Sequence, residues 1–474
     1  MNARVTPTFF FYDLETSGLD PRRHRIMQFA GQRTTLDLEP IGEPVNILVS
    51  LADDVLPDPQ AILVTGITPQ KTREEGYSEA DFLKVLHEKV ITPGTIITGF
   101  NSVRFDDEFM RYLLYRNFYD PYEWQWKDES SRWDLLDVVR MTRALRPDGI
   151  EWPVTDKGDA TNRLELITAK NGLAHEKAHD ALSDVYALID VARLIKTKQP
   201  KLFEYLLNAR NKRTVAELVN LDNPQPFVYA SGRYPKEILH TTVAIPIANG
   251  SRPGAVIVYD LRHNPEDWAK KSIEEMKAAR FATREQRQDP AFMPLPVKEL
   301  AHNKCPAIAP LGVLDSAAQE RLKIDMATIQ KHLAALRKTG LADRMAEVFA
   351  RDGFPKAKDV DAGLYDGFIG GGDKAHMSAI RAADAKALVD FNPKFLDERL
   401  PHLLLRYKGR NYPQSLSASE RDAWEAYRGE RIQKDLPGFI SQIQHALSTT
   451  SNEEHHFLLQ ELQLWAESIT PATE

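Results

Sequence analysis

The chain has very little cysteine, with Cys305 as the single thiol in 474 residues. One thiol excludes an intrachain disulfide and a cysteine metal cage, so we expect Cys305 to be a buried small hydrophobic side chain. Long apolar runs are also missing, because no stretch approaches the roughly 20 residues that a membrane span needs. The N-terminal MNARVTPT lacks the apolar segment of a secretory signal. We therefore expect a cytoplasmic protein with no membrane partner.

An excess of basic charge is missing as well, since 61 Lys and Arg against 68 Asp and Glu give a formal net charge of -7. Nucleic-acid-binding proteins usually carry a basic footprint, so this average argues against a polyanionic partner. Local patches can override an average. Residues 193–213, for example, include seven basic side chains and one acid.

Strand-like and helix-like segments are mixed over the first 200 residues. The patterns predict strands at residues 8–13, 26–37, 45–50 and 95–100, and helices at 78–90, 106–116, 134–145, 163–171 and 180–197. This order indicates an α/β domain with a mixed sheet covered by helices. Strand-like segments follow, and helical periodicity begins near Ser316 and continues. We place boundaries near residues 200 and 353, giving domains at 1–200, 201–353 and 354–474.

The stretch FFFYDLETSGLD, residues 9–20, places two acids at the end of a run that is typical of a buried strand. Asp13 and Glu15 are two residues apart, so both side chains point to one face of the strand. Two carboxylates in this arrangement suit a hard divalent cation. On its own, the D-x-E pattern is more often an exposed acid pair at a strand end.

Two later motifs add acids and one histidine. In GFNSVRFDDEF, Asp106 follows an aromatic residue at a predicted helix start, where a carboxylate either caps the helix or reaches into a site. In HDALSD, His179 precedes Asp184 by five residues, and Asp184 lies inside a predicted helix. A buried aspartate needs a partner such as a cation. A histidine near a helix end can act as a general base.

The order D-x-E, F-D and H-x-x-x-x-D resembles the DEDD 3′-to-5′ exonuclease superfamily, which has a ribonuclease H-like fold, and its histidine-bearing branch in particular. The resemblance implies that Asp13, Glu15, Asp106 and Asp184 are ligands of two Mg²⁺ ions, with Mn²⁺ as a substitute. It implies that His179 is the general base. Asp134, in WDLLDVVR, resembles the family's supporting aspartate, which assists the site without performing catalysis.

Aromatic and basic residues interleave between the second and third acidic motifs, within residues 111–140. Aromatic faces stack unpaired bases and arginines follow phosphates, a combination typical of binding to single-stranded nucleic acid. In PYEWQW the alternation predicts Tyr122, Trp124 and Trp126 on one side of an irregular segment. This segment is a candidate stacking platform.

Several segments together resemble bacterial exodeoxyribonuclease I, among them NSVRFDDE, RNFYDPYEWQW, AHDALSDVYA, HNKCP and RYKGRNYP. The resemblance covers nearly the whole chain. It implies an exonuclease domain, an extended SH3-like β domain and a helical C-terminal domain. It also implies processive 3′-to-5′ degradation of single-stranded DNA to 5′-mononucleotides, in DNA repair and recombination.

The same resemblance assigns DNA contacts to matching positions, which are Glu15, Arg111, Tyr122, Trp126, Arg140 and Arg163. A further expected partner is the acidic C-terminal tail of the single-stranded-DNA-binding protein, and the chain is expected to be a monomer. An RNA-trimming member of the superfamily, a non-catalytic DNA-binding scaffold and a proofreading subunit remain as alternatives.

Overall fold

The computed structural model describes residues 5–174, 180–350 and 355–471. The chain forms two compact units. The first unit takes in residues 1–131, 175–186 and 355–474, and the second takes in residues 132–174 and 187–354. The C-terminal helices therefore share a unit with the N-terminal sheet, although more than 200 residues separate them in sequence.

The described strands belong to two sheets. They are β1 (Thr8–Thr16), β2 (Ile26–Thr34), β3 (Val45–Leu48), β4 (Thr95–Gly99), β5 (Ser131–Asp134), β6 (Phe227–Ala230), β7 (Thr241–Asn249), β8 (Ala255–Asp260), β9 (Val297–Ala301) and β10 (Ala307–Pro310).

The α-helices are numbered in chain order. They are α1 (Pro59–Thr65), α2 (Pro69–Glu75), α3 (Glu79–Val85), α4 (Asp106–Arg116), α5 (Leu135–Leu145), α6 (Leu164–Lys170), α7 (Ala181–Lys198), α8 (Pro200–Asn208), α9 (Lys212–Leu218), α10 (Glu266–Ala269), α11 (Ile273–Phe281), α12 (Arg284–Gln288), α13 (Ser316–Arg321), α14 (Met326–Leu336), α15 (Leu341–Phe349), α16 (Lys374–Ala382), α17 (Ala385–Leu388), α18 (Arg399–Asn411), α19 (Ala418–Thr449) and α20 (Glu453–Ile469). Among the helices that the structure describes, none has the length and apolar character needed to cross a bilayer.

The sheet of the first unit is mixed, as the sequence predicts. Its strands are ordered β3, β2, β1, β4. Strand β1 is antiparallel to β2 and parallel to β4. Phe10 and Tyr12 point from β1 into a core with Phe82 and Leu113. Because β1 is central and buried on both faces, its carboxyl end is held rigidly.

Strand β2 and helix α3 differ slightly from prediction. The predicted strand at residues 26–37 ends at Thr34, because a turn closes there with Leu38 N–H donating to Thr35 O. The predicted helix at 78–90 begins after Ser78, whose side chain accepts from Asp81 N–H. It continues as α3 and then as a π-helical turn at Leu86–Val90.

The second unit contains an antiparallel sheet ordered β10, β6, β7, β8, β9. Residues 250–254, in the predicted turn NGSRPG, connect β7 to β8. Cys305 is buried, and its thiol donates to Arg132 O at 3.0 Å. The prediction of a buried, unbridged cysteine is confirmed.

The C-terminal helices α19 and α20 pack on α1 of the N-terminal domain through an apolar cluster that includes Ile62, Ile443 and Leu459. A buried ionic cluster lies in the same unit. There Arg410 bonds both Asp54 and Asp361, whose side chains are fully buried. This combination of apolar and ionic contacts explains why the C-terminal helices and the N-terminal sheet form one unit.

Candidate active site

The first part of the candidate site is the carboxyl end of β1. Asp13 lies opposite Ala30 and Glu15 opposite Gln28 in the antiparallel register with β2. The two acids share a face of the strand, as their spacing predicts. Glu15 is buried and Asp13 half-buried, so neither is a freely exposed strand-end acid.

The turn after β1 is held tightly by backbone and hydroxyl contacts. Arg25 N–H donates to Ser17 Oγ at 2.9 Å, and Thr16 Oγ1 donates to Gly18 O at 2.9 Å. Gly18 has φ +150°, and a Cβ there would lie 2.6 Å from the His24 ring. Only glycine lets the chain pass so close to His24, and this fixes the exit of the strand that carries the acids.

Asp106 is the first residue of α4 and is buried. Its neighbours are engaged elsewhere, since Asp107 accepts from Tyr12 Oη at 2.7 Å and Glu108 accepts from Arg111 at 2.6 Å. Asp106 instead lies near enough to Asp13 and Glu15 to raise the pKa of both carboxyl groups.

Asp184 comes from the first turn of α7. One carboxylate oxygen each from Asp13, Glu15 and Asp184 lies within 4.8 Å of the other two. The structure thus brings together three predicted ligands from two elements that are about 170 residues apart in sequence, with Asp106 beside them.

The acids of this cluster are buried beside one another, and each raises the pKa of its neighbours. Burial and the charges of Asp184, Asp106 and Asp180 raise the pKa of Glu15 from 4.5 to about 8. Burial and the neighbouring carboxylates also raise the pKa of Asp13 well above its usual value. Crowded carboxylates with raised pKa values are typical of a site that a cation or a shared proton neutralises.

His179, the predicted general base, lies outside the described residues. The adjoining Asp180 is described, and its Oδ1 accepts from Ser183 N–H at 3.1 Å at the start of α7. Asp180 therefore has a capping role, and its charge contributes to the raised pKa of Glu15.

Two predicted DNA contacts pack directly against each other. The guanidinium of Arg111 lies over the ring of Tyr122, with 5.5 Å between Cζ and the ring centroid. Arg111 is buried and donates to Glu108 at 2.6 Å and to Gln125 Oε1 at 3.0 Å. Because these contacts restrain both side chains, Arg111 and Tyr122 form a preorganised surface next to α4.

The predicted alternation in PYEWQW is wrong at its centre. Trp126 is 63% exposed and Tyr122 half-buried, but Trp124 is 4% exposed and belongs to the core that contains Tyr12. The segment folds as two short 3-10 turns, at Glu123–Gln125 and Lys127–Glu129, so strand-like alternation does not apply. Tyr122 and Trp126 are therefore the accessible aromatics of this segment, and Trp124 supports them from within the core.

Three predicted residues lie in the second unit. Arg140 is paired with Asp137 at 2.6 Å, and its guanidinium packs against Gly232. Arg163 precedes α6, is largely exposed and pairs with Glu165. Asp134 caps α5 by accepting from Leu136 N–H at 3.0 Å.

The sequence patterns missed two residues of the C-terminal domain. Tyr365 Oη accepts from Arg111 at 3.4 Å and donates to Glu108. Phe368 is 89% exposed, and its ring lies 6.0 Å from that of Tyr122. Some 250 residues separate these partners, so no local signal could have paired them; the aromatics of LYDGF were the available hint.

Family models match the chain in three successive parts. They are described as "Exonuclease" for residues 10–192, "Exonuclease I SH3-like domain" for residues 210–351 and "Exonuclease I C-terminal domain" for residues 358–469. The predicted architecture of an exonuclease domain, an SH3-like domain and a helical domain is thereby confirmed. The exact boundaries at residues 200 and 353 stay predictions.

Curated relatives align over almost the whole chain. Exodeoxyribonuclease I of Haemophilus influenzae is 38% identical over 459 residues, which are 96% of this chain and 97% of the relative. Exodeoxyribonuclease I of Escherichia coli is 37% identical and covers 98% of each chain.

Solved structures agree with this similarity. E. coli exonuclease I in complex with a dA16 oligonucleotide superposes with a TM-score of 0.94 at 37% identity, covering 98% of this chain and 100% of that one. A moderately thermophilic exonuclease I from Methylocaldum szegediense gives a TM-score of 0.91 at 41% identity, with the same coverage.

Proposed function

The chain belongs to the exodeoxyribonuclease I family, and from this premise we propose that it degrades single-stranded DNA processively from the 3′ end to 5′-mononucleotides, in DNA repair and recombination. The observation that carries the proposal is the convergence of Asp13, Glu15 and Asp184 within 4.8 Å, with Asp106 beside them. A cluster of this kind suits phosphodiester hydrolysis, because the reaction needs concentrated positive charge that carboxylates can hold.

The donor set fits divalent cations. Four carboxylates offer only oxygen ligands, and burial and the neighbouring acids raise the pKa values of Asp13 and Glu15. Oxygen-rich sites of this kind favour Mg²⁺, and Mn²⁺ can substitute. We assign two ions to Asp13, Glu15, Asp106 and Asp184. When bound, two such ions stabilise the attacking and leaving oxygens of a phosphodiester and lower the pKa of water.

The other side chains receive the roles that the resemblance to the family implies, and their chemistry suits those roles. His179 accepts the proton of the attacking water, since an imidazole titrates near neutral pH. Glu15 also contacts the substrate, and Arg163 contacts the terminal nucleotide. Tyr122 and Trp126 stack on bases, and Arg111 and Arg140 contact the strand backbone. Asp134 takes the supporting role of the family's matching aspartate and does not bind a metal.

A product analysis on single-stranded DNA tests the proposal. An oligonucleotide labelled at its 3′ end should release labelled mononucleotide first with Mg²⁺, and should remain intact in EDTA. An RNA oligomer of the same sequence provides the comparison with RNA-trimming enzymes. A preference for RNA, or release from the 5′ end, would contradict the proposal.

Asp13→Asn tests the assignment of the carboxylates. It should abolish Mg²⁺-dependent release, because one ligand loses its charge, while the variant still binds the oligonucleotide in EDTA. Asp20→Asn is the matched control, since Asp20 lies in the same segment but pairs with Arg22 at 2.7 Å. That control should keep wild-type activity; if Asp13→Asn keeps it too, the metal assignment is wrong.

We also propose that the protein is a cytoplasmic monomer that binds the acidic C-terminal tail of the single-stranded-DNA-binding protein. The bacterial relatives named above support the compartment, and basic side chains suit an acidic tail. Light scattering tests the monomer. Fluorescence polarisation with a labelled tail peptide, against a peptide lacking the terminal residue, tests the partner.

A further inference from the structure

The strand pairing beside the proposed metal ligand Glu15 is interrupted by a β-bulge. Glu15 on β1 lies opposite Gln28 on β2. The next residue of β1, Thr16, lies opposite Ile26. One step along β1 therefore corresponds to two steps along β2, and Met27 is the extra residue. A bulge bends its strand and changes the direction of neighbouring side chains, and bulges are frequent beside active sites.

The bulge shifts the alternation of side chains along β2. Ile26 and Phe29 both belong to the apolar core that contains Tyr12. On a regular strand, residues three apart point to opposite faces, so this arrangement requires the extra residue. Met27, which lies between them, belongs instead to a different apolar cluster. The shift occurs at Met27, directly beside the position that lies opposite Glu15.

The bulge residue Met27 is held by the C-terminal domain. Its side chain is buried in the apolar cluster that includes Phe439 and Ile443 of α19. Its carbonyl oxygen accepts a hydrogen bond from Val49 N–H at 2.8 Å. Both the side chain and the backbone of the bulge residue are therefore fixed, and the side chain is fixed by helices from the other end of the chain.

A second contact with the C-terminal domain lies two residues before the bulge residue. Ser17 N–H donates to Arg25 O at 2.9 Å, and Arg25 N–H donates to Ser17 Oγ at 2.9 Å. The side chain of Arg25 is buried, and its Nη2 lies 3.2 Å from Asp361 Oδ2. The C-terminal domain thus contacts this part of the chain at Arg25 and again at Met27, on the strand that pairs with Glu15.

Glu15 needs a rigid backbone because its neighbours repel it. Its carboxylate lies within 4.8 Å of those of Asp13 and Asp184. Burial and the charges of Asp184 and Asp106 raise the pKa of Glu15, so its ionised form is disfavoured beside them. In the metal-free protein, this repulsion acts to move Glu15 away from the other acids. A bulge that is anchored on β2 resists that movement and keeps the carboxylate in place for a cation.

We propose that Met27 is a positioning residue of the metal site, through which the packing of the C-terminal domain fixes the direction of the Glu15 carboxylate. The inference rests on the proposed function. Met27 is neither a metal ligand nor a DNA contact in that proposal, so its effect on hydrolysis acts through Glu15. The C-terminal domain therefore contributes to the affinity for divalent cations even when no DNA is bound.

Mn²⁺ binding to the full-length protein without DNA, followed by electron paramagnetic resonance, tests the proposal. Met27→Ala leaves a cavity behind the bulge. It should lower the affinity for Mn²⁺ about tenfold, as expected for the loss of a residue that supports a metal ligand. A higher Mg²⁺ concentration should restore most of the hydrolysis rate of this variant. Met27→Leu, which nearly conserves the side-chain volume, should bind Mn²⁺ like the wild type.

Ile469→Ala is the matched control, because it opens a cavity elsewhere in the same unit. Ile469 is as buried as Met27 and belongs to a separate apolar cluster with Leu51 and Trp465. Its removal should lower the melting temperature about as much as Met27→Ala does and leave the Mn²⁺ affinity unchanged. Met27→Val removes fewer atoms and should give a smaller loss of affinity. It takes the place of Met27→Ala if the alanine variant does not fold.

The outcomes separate this inference from the proposed function. If the chain degrades single-stranded DNA but Met27→Ala binds Mn²⁺ like the wild type, Met27 does not position Glu15 and the exonuclease stands. The same conclusion follows if Ile469→Ala loses as much affinity as Met27→Ala, or if Met27→Leu does. If the wild type neither binds Mn²⁺ nor degrades DNA, the proposed function fails first and this inference fails with it.

Discussion

Tyr12 donates a buried hydrogen bond of 2.7 Å to Oδ1 of Asp107. Tyr12 directly precedes Asp13 on β1, and Asp107 directly follows Asp106 on α4. The bond therefore joins two of the three elements that carry candidate metal ligands, at the residues next to those ligands. Neither Tyr12 nor Asp107 belongs to the cluster of three converging carboxylates, yet their contact fixes the separation of β1 and α4.

The effect of Tyr12→Phe on the affinity for Mg²⁺ should be larger than its effect on the free energy of unfolding. Loss of a buried hydrogen bond to a charged group costs about 1.5–3 kcal/mol of unfolding free energy. Because β1 and α4 lose their link, a higher Mg²⁺ concentration should be needed for half-maximal activity. A Mg²⁺ titration of hydrolysis, combined with thermal unfolding, measures both effects.

Tyr115→Phe provides the control for this variant. Tyr115 Oη donates to Val360 O at 2.9 Å, away from the metal-site carboxylates. The Tyr115→Phe variant should lose stability without a change in the Mg²⁺ requirement. If the two variants shift the Mg²⁺ requirement equally, the Tyr12 bond does not position the site.

The stability of the metal-free protein should fall as the pH rises from about 4.5 to about 8. Burial and neighbouring acids raise the pKa of Glu15 from 4.5 to about 8, so in this window the folded state binds more protons than the unfolded state. Deprotonation of the folded protein is then unfavourable, and the stability that the protonated form provides is lost. Mg²⁺ should restore it increasingly at higher pH, since metal competes with protons.

Melting temperatures across this pH range, in EDTA and in Mg²⁺, measure the effect. Glu15→Gln is the comparison, because its side chain cannot titrate. In EDTA, the Glu15→Gln variant should become more stable relative to the wild type as the pH rises. A pH-independent difference would show that Glu15 titrates normally.

Much of the first sheet and of the acid cluster is predictable from sequence, because its signals are local. The alternation of β1 and the two-residue spacing of Asp13 and Glu15 determine which face carries the acids. The convergence of Asp184 with them required the resemblance to a family, since spacing alone does not specify which elements pack together.

The errors and omissions have physical reasons too. Strand-like alternation predicts Trp124 beside Tyr122, but 3-10 turns rotate it into the core. Tyr365 and Phe368 were missed because their partners lie in another domain, and tertiary contacts over that separation leave no periodic pattern. His179 lies outside the described residues, so its predicted role stays a prediction.

Gly232→Ala should reduce DNA affinity by displacing Arg140. A Cβ at this position would lie 2.7 Å from Arg140 Nη2, and the far end of a flexible side chain can yield. The fold should therefore keep its melting temperature, while binding of single-stranded DNA weakens roughly three- to tenfold, as for a lost charge-assisted phosphate contact.

Arg140→Ala and the double variant complete this test by fluorescence polarisation in EDTA. If Gly232 acts only by leaving room for Arg140, the double variant should bind no more weakly than Arg140→Ala. Additive losses would mean that Gly232 affects binding by another route.

Asp361→Asn should be strongly destabilising, because Asp361 is fully buried among arginines. Its carboxylate lies 3.2 Å from Arg25 and 2.5 Å from Arg410, with Arg406 and Arg431 also in contact. Neutralising the acid leaves buried cations without countercharge, at a cost of about 3–5 kcal/mol in the free energy of unfolding. Urea unfolding measures this loss.

Asp359→Asn is the matched control, as Asp359 contacts Arg406 and Arg431 but its side chain is 40% exposed. It should cost less than about 1 kcal/mol. Although burial alone would raise the pKa of Asp361, Arg410, Arg406 and Arg25 hold it well below 3.8. The wild type should therefore keep this stabilisation above pH 3.8 and lose it only in stronger acid, as the folded-state carboxylate protonates. Equal losses in both variants would show that the burial of Asp361 does not set the cost of neutralising an acid in this cluster.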